Sequence, residues 1–78
     1  MDWRRIQIFA KISGNKSFTA AARIIGKSQS TLSRDVIQLE KKIGFKVFER
    51  NIRGIELTEQ GKKLLMFANE FNLKLGKI

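Results

Sequence analysis

Ser17-Phe18-Thr19-Ala20-Ala21-Ala22-Arg23-Ile24-Ile25-Gly26-Lys27-Ser28-Gln29-Ser30-Thr31-Leu32-Ser33-Arg34-Asp35-Val36 is the stretch that decides the fold. Ser17 can offer a side-chain oxygen to the first unpaired N–H groups of a helix. Phe18, Ala21, Ala22 and Ile25 then recur at i, i+3, i+4 and i+7, an amphipathic stripe. Gly26 follows at once, where a left-handed stop belongs. After this very short turn Ser28 is the predicted cap of the next helix. Leu32, Val36, Leu39 and Ile43 mark its buried face, and Gly44 ends it. The opposite stripe, Ser30, Arg34, Ile37 and Lys41, is polar and positive apart from Ile37. A tight turn sets two such helices at a steep angle, so the second projects from the body. The small Ala21 and Ala22 let the pair approach closely.

Outward from this pair the pattern continues in both directions. Towards the amino terminus, residues 2 to about 12 place Trp3, Ile6, Phe9 and Ala10 on one helical face, with Asp2 at its start and Ser13-Gly14-Asn15 as its end. Towards the carboxyl terminus, Phe45-Lys46-Val47-Phe48-Glu49-Arg50 and Ile55-Glu56-Leu57 flank Asn51-Ile52-Arg53-Gly54, which reads as a β-hairpin. Thr58 is a predicted cap, with Glu59 and Gln60 in the first turn of a fourth helix running to the chain end. There is no proline, no internal repeat and no low-complexity segment. The expected fold is mainly α: a winged helix-turn-helix with a three-helix core, a two-stranded β wing and a long C-terminal helix. The expected organisation is a domain over 1–58, with its helix-turn-helix at about 18–37 and its wing at about 45–57, followed by a linker helix over 58–78.

Composition narrows what such a domain can do. Seventy-eight residues make one small domain, which buries only about 60% of its unfolded surface. Without Cys it can form no disulfide and offers no thiolate chemistry, and without His it lacks the usual general base and the commonest metal ligand. No carboxylate motif and no phosphate-cradling glycine motif stands in for them, so no catalytic residue, metal or cofactor is expected. No apolar run is long enough to span a bilayer. The start of the chain does not read as a signal peptide, and a cytoplasmic protein is expected. Sixteen Lys and Arg against seven Asp and Glu give a net charge of +9. From Lys16 to Arg53 there are nine basic residues and three acidic ones, Asp35, Glu40 and Glu49. Such a field attracts polyanions, whether DNA, RNA or an anionic membrane. The apolar stripes are short and separated by caps, which suits a packed globule better than a membrane-surface helix. A winged helix serving as a protein- or RNA-interaction module is the stronger rival.

The chemistry of the second helix favours duplex DNA. A helix fits the major groove of B-DNA, where each base pair shows its own donor and acceptor pattern. Lys27-Ser28-Gln29-Ser30-Thr31-Leu32-Ser33-Arg34 is rich in short hydrogen-bonding side chains. Gln pairs bidentately with adenine, Arg with guanine, and Ser or Thr with bases or phosphates. The candidate DNA-binding residues are Lys27, Ser28, Gln29, Ser30, Thr31, Ser33 and Arg34 on the helix-turn-helix, with Arg50 and Arg53 on the wing.

Ser17-Phe18-Thr19 with Ala21-Ala22, Ser28-Gln29, Leu32-Ser33-Arg34, Leu39-Glu40, Gly44, Phe48-Glu49-Arg50 and Leu57-Thr58-Glu59-Gln60-Gly61 together resemble the signature of LysR-type transcriptional regulators. The resemblance runs from Asp2 to about Gly61 without gaps. It implies that Gln29, Ser33 and Arg34 meet bases or backbone in the major groove, and that Arg53 lies near the minor groove or its phosphates. Ser30 stands where the family usually has Pro, and Lys27 where it usually has an aliphatic residue. Family members continue into an effector-binding domain of two α/β lobes; none is expected within these residues, and so no small-molecule effector.

The fourth helix suggests assembly. Leu64, Ala68, Phe71, Leu75 and Ile78 are spaced by four, three, four and three, a heptad seam. Leu65, Met66 and Leu73 add apolar surface beside it. One face is expected to pack near Trp3 and Phe9. The other is expected to join two chains in a two-fold homodimer, which would meet a partly palindromic site.

Overall fold

In the computed structural model, which describes residues 2–76, each helix opens on the oxygen-bearing side chain that precedes it. Helix α1 spans Trp3–Ser13, and the Asp2 carboxylate accepts from the backbone N–H of Arg5. In α2, Phe18–Ile25, Ser17 accepts from Ala20 N–H. In α3, Gln29–Ile43, Ser28 accepts from Thr31 N–H, and in α4, Glu59–Leu75, Thr58 accepts from Gly61 N–H. Each such cap stabilises its helix by about 1 kcal/mol. The turn between α2 and α3 rests on Gly26 at φ 81°, a conformation that a Cβ disfavours. The N–H groups of Gly26 and Lys27 both bond the Ala22 carbonyl there, at 2.9 and 3.2 Å.

The apolar stripes meet in one core. Ile6, Phe9 and Ile12 of α1, Phe18 and Ala21 of α2, and Leu32, Val36 and Leu39 of α3 are buried together with Val47, Phe48 and Ala68. Ala22, Ile25 and Ile43 close its edges while remaining partly accessible. An aromatic row runs through it: Phe9 and Phe48 have ring centroids 5.2 Å apart, and Phe48 and Phe18 6.0 Å apart.

The wing is the antiparallel pair β1, Phe48–Asn51, and β2, Gly54–Leu57, in the register Phe48–Leu57, Glu49–Glu56, Arg50–Ile55 and Asn51–Gly54. It is shorter than the expected 45–57. Residues just before β1 are held by the helices instead of by β2. The Val47 N–H donates to the Glu40 carboxylate at 2.8 Å, and its carbonyl accepts from Thr58 N–H at 3.0 Å. The chain reverses at Ile52 and Arg53, neither of which has a positive φ, and the left-handed conformation falls on the next residue, Gly54, at φ 129°. Gly54 also lies so close to the Lys16 carbonyl that a Cβ there would come within 2.2 Å of it. Next to it, Ile55 N–H donates to the same carbonyl at 3.2 Å, fastening the wing to the α1–α2 loop.

Helix α4 does not stand apart from the body. Ala68 has no solvent exposure, and Leu64 and Leu65 lie against the core. Gly61 rests on the Val47 backbone, and Gln7 and Asn72 exchange side-chain amide hydrogen bonds at 2.9 and 3.2 Å. Trp3 meets Phe71 edge-on at 4.6 Å between centroids. The expected seam is therefore divided. Ala68 belongs to the domain's own core, because helix α1 takes that side of α4, and Leu64 is half-buried beside it. Phe71 and Leu75 are 40% and 48% exposed, and the outward apolar surface is extended by Met66, Phe67 and Leu73. The seam's last member, Ile78, lies outside the described residues.

Candidate nucleic-acid interface

Packing of Leu32, Val36 and Leu39 against α1 and α2 fixes which side of α3 faces outward. Gln29, Ser30, Arg34, Ile37 and Lys41 are exposed, and Thr31 and Ser33 are half-buried. At the amino terminus of α3 the hydroxyls form a small network. Ser28 Oγ lies 2.8 Å from Thr31 Oγ1 and 3.2 Å from Ser30 Oγ, besides capping the helix. Ser28 therefore has a structural task that engages its side chain, whereas Gln29 and Ser30 project from the first turn. Lys27 is exposed in the turn just before them.

The wing brings two further cations. Arg50 on β1 lies beside α3: its guanidinium sits 4.3 Å from the Phe18 ring centroid and donates to Ser33 Oγ. Arg53 is exposed in the hairpin turn, with its backbone N–H held by the Asn51 side-chain oxygen at 2.9 Å. The structure thus joins Ser33 and Arg50, two residues seventeen apart in sequence, and leaves Arg53 at the far end of the wing.

Charge is sorted more sharply than the sequence indicates. Of the three acids between Lys16 and Arg53, two are engaged away from the exposed face of α3. Asp35 is 7% exposed and faces α1, where its Oδ1 accepts from Arg4 at 3.3 Å and from Arg5 at 3.2 Å. Glu40 is turned to the Val47 N–H. Periodicity held a signal for Asp35, since positions 32, 35, 36 and 39 share one helical face; charge alone marked it as a solvated residue. The Arg4 and Arg5 pairing needed the three-dimensional approach of α1 to α3. Beside it, partial burial pushes the Asp2 carboxyl up, but the Arg5 backbone N–H, the Arg5 guanidinium and Lys42 outweigh that and hold it below the usual carboxylate range. Hydrogen bonding to Asp2 raises Arg5 in turn.

No group of three or more potential metal ligands occurs among the described residues. Among them, too, no helix is long and apolar enough to cross a membrane.

The geometry has clear counterparts. The family model for the bacterial regulatory helix-turn-helix protein, lysR family, matches residues 3–62. The HTH-type transcriptional activator IlvY of Haemophilus influenzae is 43% identical over 68 residues, which are 87% of this chain and 23% of that protein. The HTH-type transcriptional regulator IlvY of Escherichia coli K12 is 37% identical over 78 residues, all of this chain and 26% of that protein. The chain therefore spans about a quarter of the length of these relatives. Among solved structures, the DNA-binding domain of CbnR in complex with DNA superposes with a TM-score of 0.87 at 31% identity, over 99% of this chain and 88% of that one. With the helix-turn-helix, the wing and the family match over residues 3–62 in agreement, the chain belongs to the LysR family of bacterial regulatory helix-turn-helix proteins.

Proposed function

We propose that this chain binds double-stranded DNA sequence-specifically, as the DNA-binding module of a bacterial transcriptional regulator, and that it carries no catalytic activity. One observation carries the reading. The exposed first half of α3 presents Gln29, Ser30 and Arg34, flanked by Arg50 and Arg53, while Asp35 and Glu40 are turned to α1 and to the hairpin base. Helix α3 would enter the major groove, and the wing would lie on the minor groove or its phosphates. Gln29 and Arg34 would read base edges; Lys27, Ser28, Ser30, Thr31, Ser33, Arg50 and Arg53 would hold the backbone or neighbouring bases. The solved CbnR domain–DNA complex supports this, since the same fold there is seen with DNA. Such a regulator acts in the cytoplasm, where bacterial DNA lies.

Two copies would pair through the outward side of α4. Phe67, Phe71 and Leu75 recur at intervals of four, with Met66 and Leu73 beside them, and all are at least 40% exposed. A two-fold pair would present two α3 helices to a partly palindromic site. In vitro selection of duplexes from a random pool tests the function: recovered sequences should share a motif, and affinity for it should fall steeply with salt as Lys and Arg displace condensed counterions. Recovery of no shared motif, together with salt-independent binding, would refute it.

A further inference from the structure

Helix α3 leaves one apolar side chain in the open. Leu32, Val36 and Leu39 are buried and Ile43 is half-buried, but Ile37 is 47% exposed. It does not sit at the edge of the outward face. At 3.6 residues per turn, Ser30, Arg34, Ile37 and Lys41 fall within an arc of about 60°, and Leu39, buried in the core, lies nearly opposite Ile37. Ile37 thus stands in the middle of the face that the fold turns outward, one turn beyond Arg34.

A single exposed isoleucine is ordinary on a protein surface, but this one is both rigid and set where charge does not dominate. A β-branched side chain in a helix keeps essentially one χ1 rotamer, so its methyl groups are presented in a fixed place and lose little freedom on contact. Beside it, the wall between α3 and the wing carries Glu40 and Glu49 as well as Lys46 and Arg50. Two carboxylates against two cations leave no net charge there, and Glu40 is already engaged by the Val47 N–H. The neighbour that Ile37 itself favours is therefore an uncharged apolar group, not a phosphate.

Duplex DNA offers one such group in the major groove. The base edges there are hydrogen-bond donors and acceptors, except for the C5-methyl of thymine. Cytosine methylated at C5 presents the same group. We propose that Ile37 is a specificity-determining residue that reads a pyrimidine C5-methyl group close to the base pair met by Arg34. The inference rests on the DNA-binding reading above, and adds an apolar contact to the polar ones of Gln29 and Arg34. Arg34 and Ile37 are about 4.5 Å apart along the helix axis, against about 3.4 Å between successive base pairs, which puts the two side chains within reach of neighbouring pairs.

Fluorescence anisotropy on duplexes that differ by single methyl groups tests this. A selected duplex is remade with deoxyuridine in place of each thymidine in turn, which removes the methyl and keeps every hydrogen-bonding group, and with 5-methylcytosine in place of each cytosine in turn. The proteins are the whole chain as wild type, Ile37→Val and Ile37→Ser; because Ile37 is exposed, both variants should keep the thermal transition of the parent. The wild type should lose about fourfold in affinity at one thymine, the worth of one buried methyl-sized group, or gain as much at one methylated cytosine, and which of the two occurs identifies the base. Ile37→Val should keep this discrimination. Ile37→Ser should bind the duplexes with and without the methyl equally, a comparison that also removes any effect of uracil on the duplex itself. Unchanged wild-type affinity at every substituted position, or a methyl effect that persists in Ile37→Ser, would overturn the assignment. Failure of the wild type to bind any duplex would instead overturn the DNA-binding reading, and the assignment with it.

Discussion

Substituting Gly61 by alanine should destabilise the domain although it sits inside a helix, where alanine is ordinarily the better residue. A Cβ at this position would stand 2.2 Å from the Val47 carbonyl oxygen, 3.0 Å from its carbon and 3.1 Å from its Cα. All three are backbone atoms, so no rotamer change relieves the overlap. Restoring ordinary contact, about 3.4 Å, requires α4 to retreat by about 1.2 Å. That retreat pulls on two hydrogen bonds at the same junction: Thr58 N–H to the Val47 carbonyl at 3.0 Å and Thr58 Oγ1 to the Lys46 carbonyl at 2.6 Å. Losing both costs about 1–3 kcal/mol, and forcing a closely packed contact apart costs about 1–3 kcal/mol more. Replacing Gly by Ala in a helix returns only about 1 kcal/mol. The net loss is therefore about 1–5 kcal/mol, centred near 3, and at about 4–8 °C per kcal/mol for a domain of this size the central value lowers Tm by roughly 10–25 °C. Gly14 is the internal control. Its φ is −79°, and an added Cβ would meet only the Lys11 carbonyl, at 3.6 Å. Gly14→Ala should be neutral or stabilise by up to about 1 kcal/mol. Thermal and urea unfolding followed by circular dichroism, repeated over a range of protein concentration, measures both. A Gly61→Ala protein as stable as the parent would refute the argument that α4 is docked on the Val47 backbone.

Further outcomes follow from the same geometry. Arg34→Ala should cost roughly 1–3 kcal/mol on a selected duplex and relax preference at one base pair, whereas Arg53→Ala should weaken all sequences evenly and reduce the salt slope by about one; anisotropy titrations on matched and mismatched duplexes separate the two. Glu56→Lys should stabilise the wing by about 0.2–1 kcal/mol, because Glu49 and Glu56 stand directly opposite each other; an unchanged or lower urea midpoint would count against that register. The lowered Asp2 carboxyl contributes stability that is present above its ordinary value, about 3.9, and is lost as pH falls through its lower folded value. Asp2→Asn should accordingly flatten the loss of Tm below about pH 4, and an acid limb as steep as the parent's would contradict the assignment. Sedimentation should show self-association weakened by Phe67→Ser and Leu75→Ser, both at exposed positions; a monomer at every concentration, in parent and variants alike, would remove the proposed α4 pairing.

Much of this protein is written in local signals. The caps at Asp2, Ser17, Ser28 and Thr58, the glycine stops and the 3.6-residue stripes act over a single turn of chain, so the four helices and the inward faces of α2 and α3 were legible without any tertiary information. So was the candidate interface, since burying Leu32, Val36 and Leu39 leaves only one side of α3 to face outward. What the sequence could not reveal are relations between residues far apart along it. The wing narrowed to 48–57 because Glu40 takes the N–H of Val47 and Thr58 its carbonyl. Asp35 ceased to be a surface charge because α1 delivers Arg4 and Arg5 to it. Ala68 left the predicted seam because α1 occupies that side of α4; Phe71 and Leu75 keep exposed surface, Phe71 and Phe67 while meeting Trp3 edge-on. Arg50 reached Ser33 because the hairpin folds back over Phe18. Each of these turns on which of several plausible partners the packing brings near. Periodicity specifies the face a residue occupies; only the packing of one element on another specifies what it meets there.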